Sequence, residues 1–220
     1  MMKRFSRAVA AILIGALTAI ACLPALARAQ TTTDSVYAAK ARADSARYPY
    51  TEADIHFMQG MIGHHAQAIV MAKWAPTHGA SSSVQVLAAR IINAQTDEIV
   101  TMQNWLKDRH QVVPESNPAG MTMTMNGVTH TMLMPGMLTP EQMKQLDAAR
   151  GTEFDRLFLT FMIQHHKGAV AMVAQLFGTY GAGQDELTFK FASDVNVDQT
   201  TEIARMEKML AALPPQSSSP

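Results

Sequence analysis

Residues 51–71 read TEADIHFMQGMIGHHAQAIVM, and residues 152–172 read TEFDRLFLTFMIQHHKGAVAM. The two stretches share ten of 21 positions, among them the Asp, the Met-Ile step, the His-His pair and the closing Met. A second match trails each one: QTDEIVTM at 95–102 and QTTEIARM at 199–206. Each half of the chain is therefore a two-segment unit, and the unit occurs twice. Repeated units of this kind cannot bury their apolar faces alone and close a core by packing on one another.

All four segments read as helices. Thr51 and Thr152 are N-cap candidates, with Asp54 and Asp155 three residues on as a variant capping box. The first helix should stop near Trp74, ahead of Pro76. Ser82 or Ser83 can cap the second, which runs to about His110. Thr139-Pro140-Glu141 is a further start, with proline in the first turn; that helix should kink or restart at Gly151-Thr152 and end near Gly178. The last runs from about Gln184 to Leu213, where Pro214-Pro215 stops it. Residues 34–47 can form a short extra helix. Short links at 75–82 and 179–183 make each pair antiparallel. The long connection from 111 to 138 suits a bundle with one crossover, as in ferritin-like folds. The expected fold is all-α: a four-helix bundle built from a duplicated antiparallel hairpin (51–110 and 139–213), joined by a Met-rich crossover at 111–138. An extension at 30–50 precedes it and a disordered tail at 214–220 follows.

The first 29 residues have the layout of a secretory signal peptide. Lys3, Arg4 and Arg7 precede an apolar run from Ala8 to Leu23, and Ala27-Arg28-Ala29 offers cleavage before Gln30. The expected location is periplasmic or secreted. A retained anchor and lipidation at Cys22 are the alternatives. Without residues 1–29 the chain carries 14 basic and 18 acidic side chains, a net charge of −4, with 15 Met and no Cys. That composition lacks the basic footprint of a nucleic-acid binder. It also rules out disulfides, thiolate zinc sites and iron–sulfur clusters.

The His-His pairs fall on the buried side of their helices. At ~100° per residue, with Met61 at zero, His65 lies at about +40° and His64 at about −60°. The second helix of each unit sets Gln95, Glu98 and Met102 on one face, and its repeat sets Gln199, Glu202 and Met206. Imidazoles, carboxylates and amides thus stand where Leu and Ile are ordinary. Buried polar groups must find partners or lose ~1–3 kcal/mol each. A metal ion would satisfy several at once, and neutral imidazole suits copper, zinc, iron and nickel. The candidate ligands here are His64, His65, His165, His166, Glu98 and Glu202, with the repeated Met61, Met71, Met162 and Met172 beside them. Asp54 and Asp155 lie two turns away, as caps or supporting groups. The plainer alternative is a metal-free His–Glu–Gln network.

Methionine is concentrated in residues 121–134, MTMTMNGVTHTMLM. Asn126-Gly127 is a hairpin turn signal. Folding there pairs Met125 with Val128, Met123 with His130 and Met121 with Met132. One strand face then carries Met121, Met123, Met125, His130 and Met132, which Met134 continues, and the other carries threonines. Thioethers select Cu(I) and need no deprotonation. Simple packing by a flexible side chain is the alternative.

The strings Phe57-Met58-Gln59-Gly60-Met61-Ile62-Gly63-His64-His65 and Phe158-Leu159-Thr160-Phe161-Met162-Ile163-Gln164-His165-His166 resemble the domain of unknown function 305 family. So do the Gln-x-x-Glu-Ile segments and Met134-Pro135-Gly136-Met137-Leu138-Thr139-Pro140-Glu141. The likeness spans roughly residues 50–211. It implies a ferritin-like four-helix bundle exported in bacteria, with copper binding and tolerance in some similar proteins. The His-His motif carries over onto His64, His65, His165 and His166, and the family methionines onto Met61, Met71, Met162 and Met172.

The expected function is copper binding, with Cu(I) favoured over Cu(II), zinc or iron, for buffering, delivery or tolerance. A copper exporter or a periplasmic copper chaperone is the expected partner besides the ion. No enzyme activity is expected. A di-metal oxidoreductase of the ferritin-like class would use Glu-x-x-His ligands, and the chain contains none. A metal-free helical adaptor for an envelope partner is the other reading.

Overall fold

The computed structural model describes residues 50–125 and 128–215. Of residues 122–129 no side chain is described. The leader at 1–29 with Cys22, the helix expected over 34–47, the Asn126-Gly127 turn and the last residues of the tail lie outside the described residues. So do the side chains of Met123 and Met125.

Five helices and one hairpin make up the rest: α1 (Glu52–Trp74), α2 (Ser82–Asp108), β1 (Met121–Met125), β2 (Val128–Met132), α3 (Pro140–Ala148), α4 (Gly151–Gly178) and α5 (Glu186–Ala211). The strands pair antiparallel in the expected register, Met121 with Met132 and Met123 with His130. Helix α1 packs on α2, α4 packs on α5, and the two hairpins meet along α1 and α4. Among the described residues no helix is long and apolar enough to cross a membrane.

Local chemistry explains most helix ends. Thr51 and Asp54 form the expected capping box: Thr51 N–H donates to Asp54 Oδ2 at 2.7 Å, and Asp54 N–H donates to Thr51 Oγ1 at 3.4 Å. Thr139 and Gln142 form another at the start of α3, with Pro140 in the first turn. Asp185 caps α5, accepting from Thr188 N–H at 3.0 Å.

Two caps differ from expectation. Helix α4 begins at Gly151 after Arg150, so Thr152 lies inside it and caps nothing. The reason is tertiary: Gly151 N–H already donates to His78 O at 2.8 Å, which ties the chain down one residue earlier. Helix α2 is preceded by Ser81 rather than capped by Ser82 or Ser83, and the Ser81 side chain makes no capping bond.

Asp155 does different work. Its Oδ1 and Oδ2 accept from Ser81 N–H at 3.1 and 3.2 Å, in the α1–α2 link. Asp54 reaches the opposite link, where its Oδ1 accepts from Gly183 N–H at 2.7 Å. Each repeat's aspartate thus holds the loop of the other repeat. Both are buried, so each bond satisfies a backbone donor that water does not reach.

The apolar core is divided in two. One cluster joins the end of α1 (Ala68–Ala75) to the start of α2, to α3 through Leu146, and to Phe154–Ile163 of α4. The other joins Ile55–Ile62 of α1 to Ile99–Leu106, Ala169–Leu176 and Phe191–Val195. The stretches left out of both clusters, 63–67 in α1 and 164–168 in α4, carry the His-His pairs.

The crossover is clamped across the outer faces of α1 and α4. Residues 60–68 of α1 are consequently buried on every side, and its sequence shows no polar stripe there. Small residues make room. A Cβ on Gly63 would stand 3.2 Å from Asn117 O, and one on Gly168 would collide with the Pro135 carbonyl. Gln67 fastens the segment: its Nε2 donates to Pro118 O at 3.0 Å and to Leu138 O at 3.1 Å, while its Oε1 accepts from Leu138 N–H at 2.7 Å.

Candidate metal centre

The four histidines meet at the level where the two apolar clusters part. All four are wholly buried. His64 and His165, one from each repeat, lie ring to ring with centroids 3.8 Å apart. His65 and His166 flank them, each 6.3 Å from its chain neighbour. Glu98 of α2 and Glu202 of α5 arrive from the outside of the bundle. Glu98 Oε2 stands 2.8 Å from His65 Nε2, and Glu202 Oε2 stands 2.8 Å from His166 Nε2. Gln95 and Gln199 are buried in the same layer. The helical spacing read from the sequence therefore brings all six of these predicted His and Glu ligands into one slab.

Hydrogen bonding in the slab is incomplete. His64 Nε2 donates to Pro135 O at 3.0 Å, and His166 Nε2 donates to Glu202. The His65–Glu98 contact is equally short but lacks hydrogen-bond alignment, so both of its atoms stay unsatisfied. Nδ1 of every one of the four imidazoles, both nitrogens of His165 and both polar atoms of Gln95 also lack partners. Among the described residues, Arg109 Nε is the sole buried unpartnered side-chain atom outside this layer. Orphaned buried polar groups cost about 1–3 kcal/mol apiece, so their concentration in one layer calls for a ligand class that accepts nitrogen and oxygen donors.

Electrostatics favour neutral rings at the centre. Burial pushes the His64 imidazole down to about 3, and His65 beside it adds to the fall. Burial, then His64 and His166, hold His165 well below its ordinary value. A neutral imidazole is the metal-binding form. The carboxylate side is acidic: burial, then the charges of Glu98, Glu202 and Asp194, push the Asp198 carboxyl up. Glu98 and Glu202 keep 19% and 15% of their side chains exposed, so this side reaches solvent. Among the described residues no three His, Asp or Glu side chains converge as a ready cage. The chemistry of the donor set fits a transition metal such as copper or zinc. As placed, the donors form pairs rather than a closed shell.

The methionines divide. Met61, Met71 and Met162 are enclosed in the apolar clusters and pack as core side chains. Met172, which repeats Met71, is buried in the second cluster too but also reaches a cleft. Met172, Met121, Met132 and Met134 line one cleft of about 340 Å³ between the hairpin, α1 and α4. His56 lines it too. Sequence reasoning passed over His56, because Leu157 replaces it in the second repeat. The available signal was its place on the same helix face as Gly60, four residues on. His130 is exposed and lies outside the cleft lining.

Comparison with known proteins agrees with the fold. The chain is similar to a DUF305 protein of Streptomyces coelicolor assigned as secreted, at 29% identity and a TM-score of 0.60, covering 72% of this chain and 92% of that one. It is similar to a DUF305 fragment from Deinococcus radiodurans, at 26% identity and a TM-score of 0.62, over 75% and 99% of the two chains. It is also similar to CopM in its Cu(II)-bound form, at 29% identity and a TM-score of 0.56, over 72% and 95%. Cu(I)- and silver-bound forms of CopM match as well. No curated protein sequence matches. The family model for DUF305, a domain of unknown function, matches residues 54–210, and the chain belongs to that family.

Proposed function

We propose that this protein binds copper outside the cytoplasmic membrane, holding or passing on the ion rather than transforming a substrate. The observation that carries the reading is the buried layer of four imidazoles with unpartnered nitrogens, set between two apolar cores. Hydrophobic residues there would fold at lower cost, so a polar layer of this kind suits a bound cation. His64 and His165 supply neutral nitrogen donors, His65 and His166 supply further ring nitrogens, and Glu98 and Glu202 supply charge on the solvent side. Similarity to CopM, solved with Cu(I), Cu(II) and silver, supports copper as the metal. The leader-like residues 1–29 and the likeness to the Streptomyces protein support export to the periplasm or beyond. Buffering, delivery to an exporter or chaperone, and tolerance all follow from the same binding chemistry.

The test is competition for Cu(I) against a chromophoric chelator under anaerobic, reducing conditions, with Cu(II) and Zn(II) titrated in parallel. The expected result is tight binding of copper. The four-histidine variant should lose Cu(II) more than Cu(I). Absence of any copper binding at micromolar protein overturns the proposal and leaves the metal-free adaptor.

A further inference from the structure

We propose that the cleft beside the hairpin is a separate site for a soft monovalent cation, Cu(I) in the cell, with His56, Met121, Met132, Met134 and Met172 as its ligands. This rests on the copper reading of the protein and names a second place, with different chemistry, where the ion is held.

The five side chains come from two helices and from both sides of the hairpin turn. His56 sits on α1, Met121 on β1, Met132 on β2, Met134 just beyond β2, and Met172 on α4. Met134 Sδ lies 2.8 Å, and Met172 Cε 3.5 Å, from the point where a Gly60 Cβ would stand. The missing side chain at Gly60 thus lets two thioethers meet against the α1 backbone, one turn from His56. No Asp, Glu, Lys or Arg lines the cleft. A hard cation such as Mg²⁺ or Ca²⁺ is held chiefly by carboxylate oxygens and would find only the neutral side-chain oxygens of Gln175 and Thr179. Thioethers with one imidazole are a soft set, suited to Cu(I) and Ag(I).

Packing alone does not account for the arrangement. A methionine recruited as core filler is enclosed, as Met61, Met71 and Met162 are. Met132 is 50% exposed, and Met121 and Met134 are only partly covered. Neither half of the repeat alone could build the cleft. The crossover covers one side of the bundle, so Met172, itself buried at 7%, borders the cleft while its equivalent Met71 does not.

The cleft also adjoins the histidine layer. Met134 is followed by Pro135, whose carbonyl accepts from His64 Nε2 at 3.0 Å. One backbone step therefore links a cleft ligand to the central imidazole.

The experiment labels the methionine methyl groups with ¹³C in the intact protein and titrates Ag(I), then Cu(I) anaerobically. The methyls of Met121, Met132, Met134 and Met172 should shift with the first equivalent, while Met61, Met102 and Met206 stay put. The Met134→Leu/Met172→Leu double variant and His56→Ala should each weaken Ag(I) by at least about tenfold, since loss of even a group that supports a ligand costs about 10–100-fold. Leu preserves side-chain volume, and circular dichroism checks the fold. Cu(II) binding at the histidine layer should be unchanged in these variants. Copper or silver binding with unmoved cleft methyls overturns the cleft site and leaves the histidine reading standing. Failure to bind any of the three ions removes both.

Discussion

Acid should unfold the metal-free protein through its central histidines. Folded, His64 is wholly buried and stays neutral to about pH 3. Unfolded, it titrates near its ordinary 6.5. Above 6.5 both forms are neutral and stability is at its full value. Below 6.5 the unfolded chain takes up the proton first, and His64 then costs the fold about 1.4 kcal/mol for each pH unit. The loss levels off only near pH 3, where the folded ring would itself protonate. At about pH 4.5 it amounts to roughly 2.7 kcal/mol from this one residue, and His165 acts with the same sign. Such a loss is a large part of a domain's usual 5–15 kcal/mol. The assay is urea unfolding followed by circular dichroism, in chelator-treated buffers between about pH 7.5 and about pH 4.5. His64→Gln serves as the comparison, because carboxylates titrating in the acid range then cancel. The wild type should lose stability more steeply than the variant by close to one proton's slope. Equal slopes would refute a neutral, buried His64.

Two further perturbations address how the crossover and loops are held. Gly168→Ala places a methyl against the Pro135 carbonyl, so the crossover should lift from α4. Limited proteolysis within 111–138 should accelerate while α1 to α5 keep their helical signal; unchanged cleavage would contradict the clamp. Asp155→Ala removes the acceptor for Ser81 N–H and should destabilise by about 1–3 kcal/mol. Asp54→Ala should cost at least as much, since Asp54 also accepts from Thr51 N–H and Thr51 Oγ1 at 2.7 Å each. Urea midpoints order the two, and a neutral Asp155→Ala would refute its loop-holding role.

The histidine layer was legible because its causes are local. Two adjacent histidines on a helix with apolar residues three and four positions away must lie near the buried face, and the duplication says the pattern is no accident. The same reasoning placed Glu98 and Glu202. It misassigned Thr152, since the sequence resembles Thr51 while the fold ties down Gly151 through His78 O instead. It paired Met71 with Met172 as repeats, and both are buried; that Met172 also borders a cleft carried no signal, since periodicity assigns a face but not the neighbour that covers it.

What the sequence determined by itself is everything that depends on neighbours along the chain: the helical segments, their proline stops, the Thr51 capping box, the Thr139-Pro140 helix start, the hairpin register and the doubled unit. Tertiary structure decided the rest. It brought His64 against His165 across the repeat axis, exchanged the loop contacts of Asp54 and Asp155, and laid the crossover over one side of the bundle. That last step breaks the equivalence of the two repeats. Repeated helices acquired different surroundings, and His56 gained four methionines drawn from three other parts of the chain. Residues far apart in sequence carry no spacing signal, so only packing could bring them together.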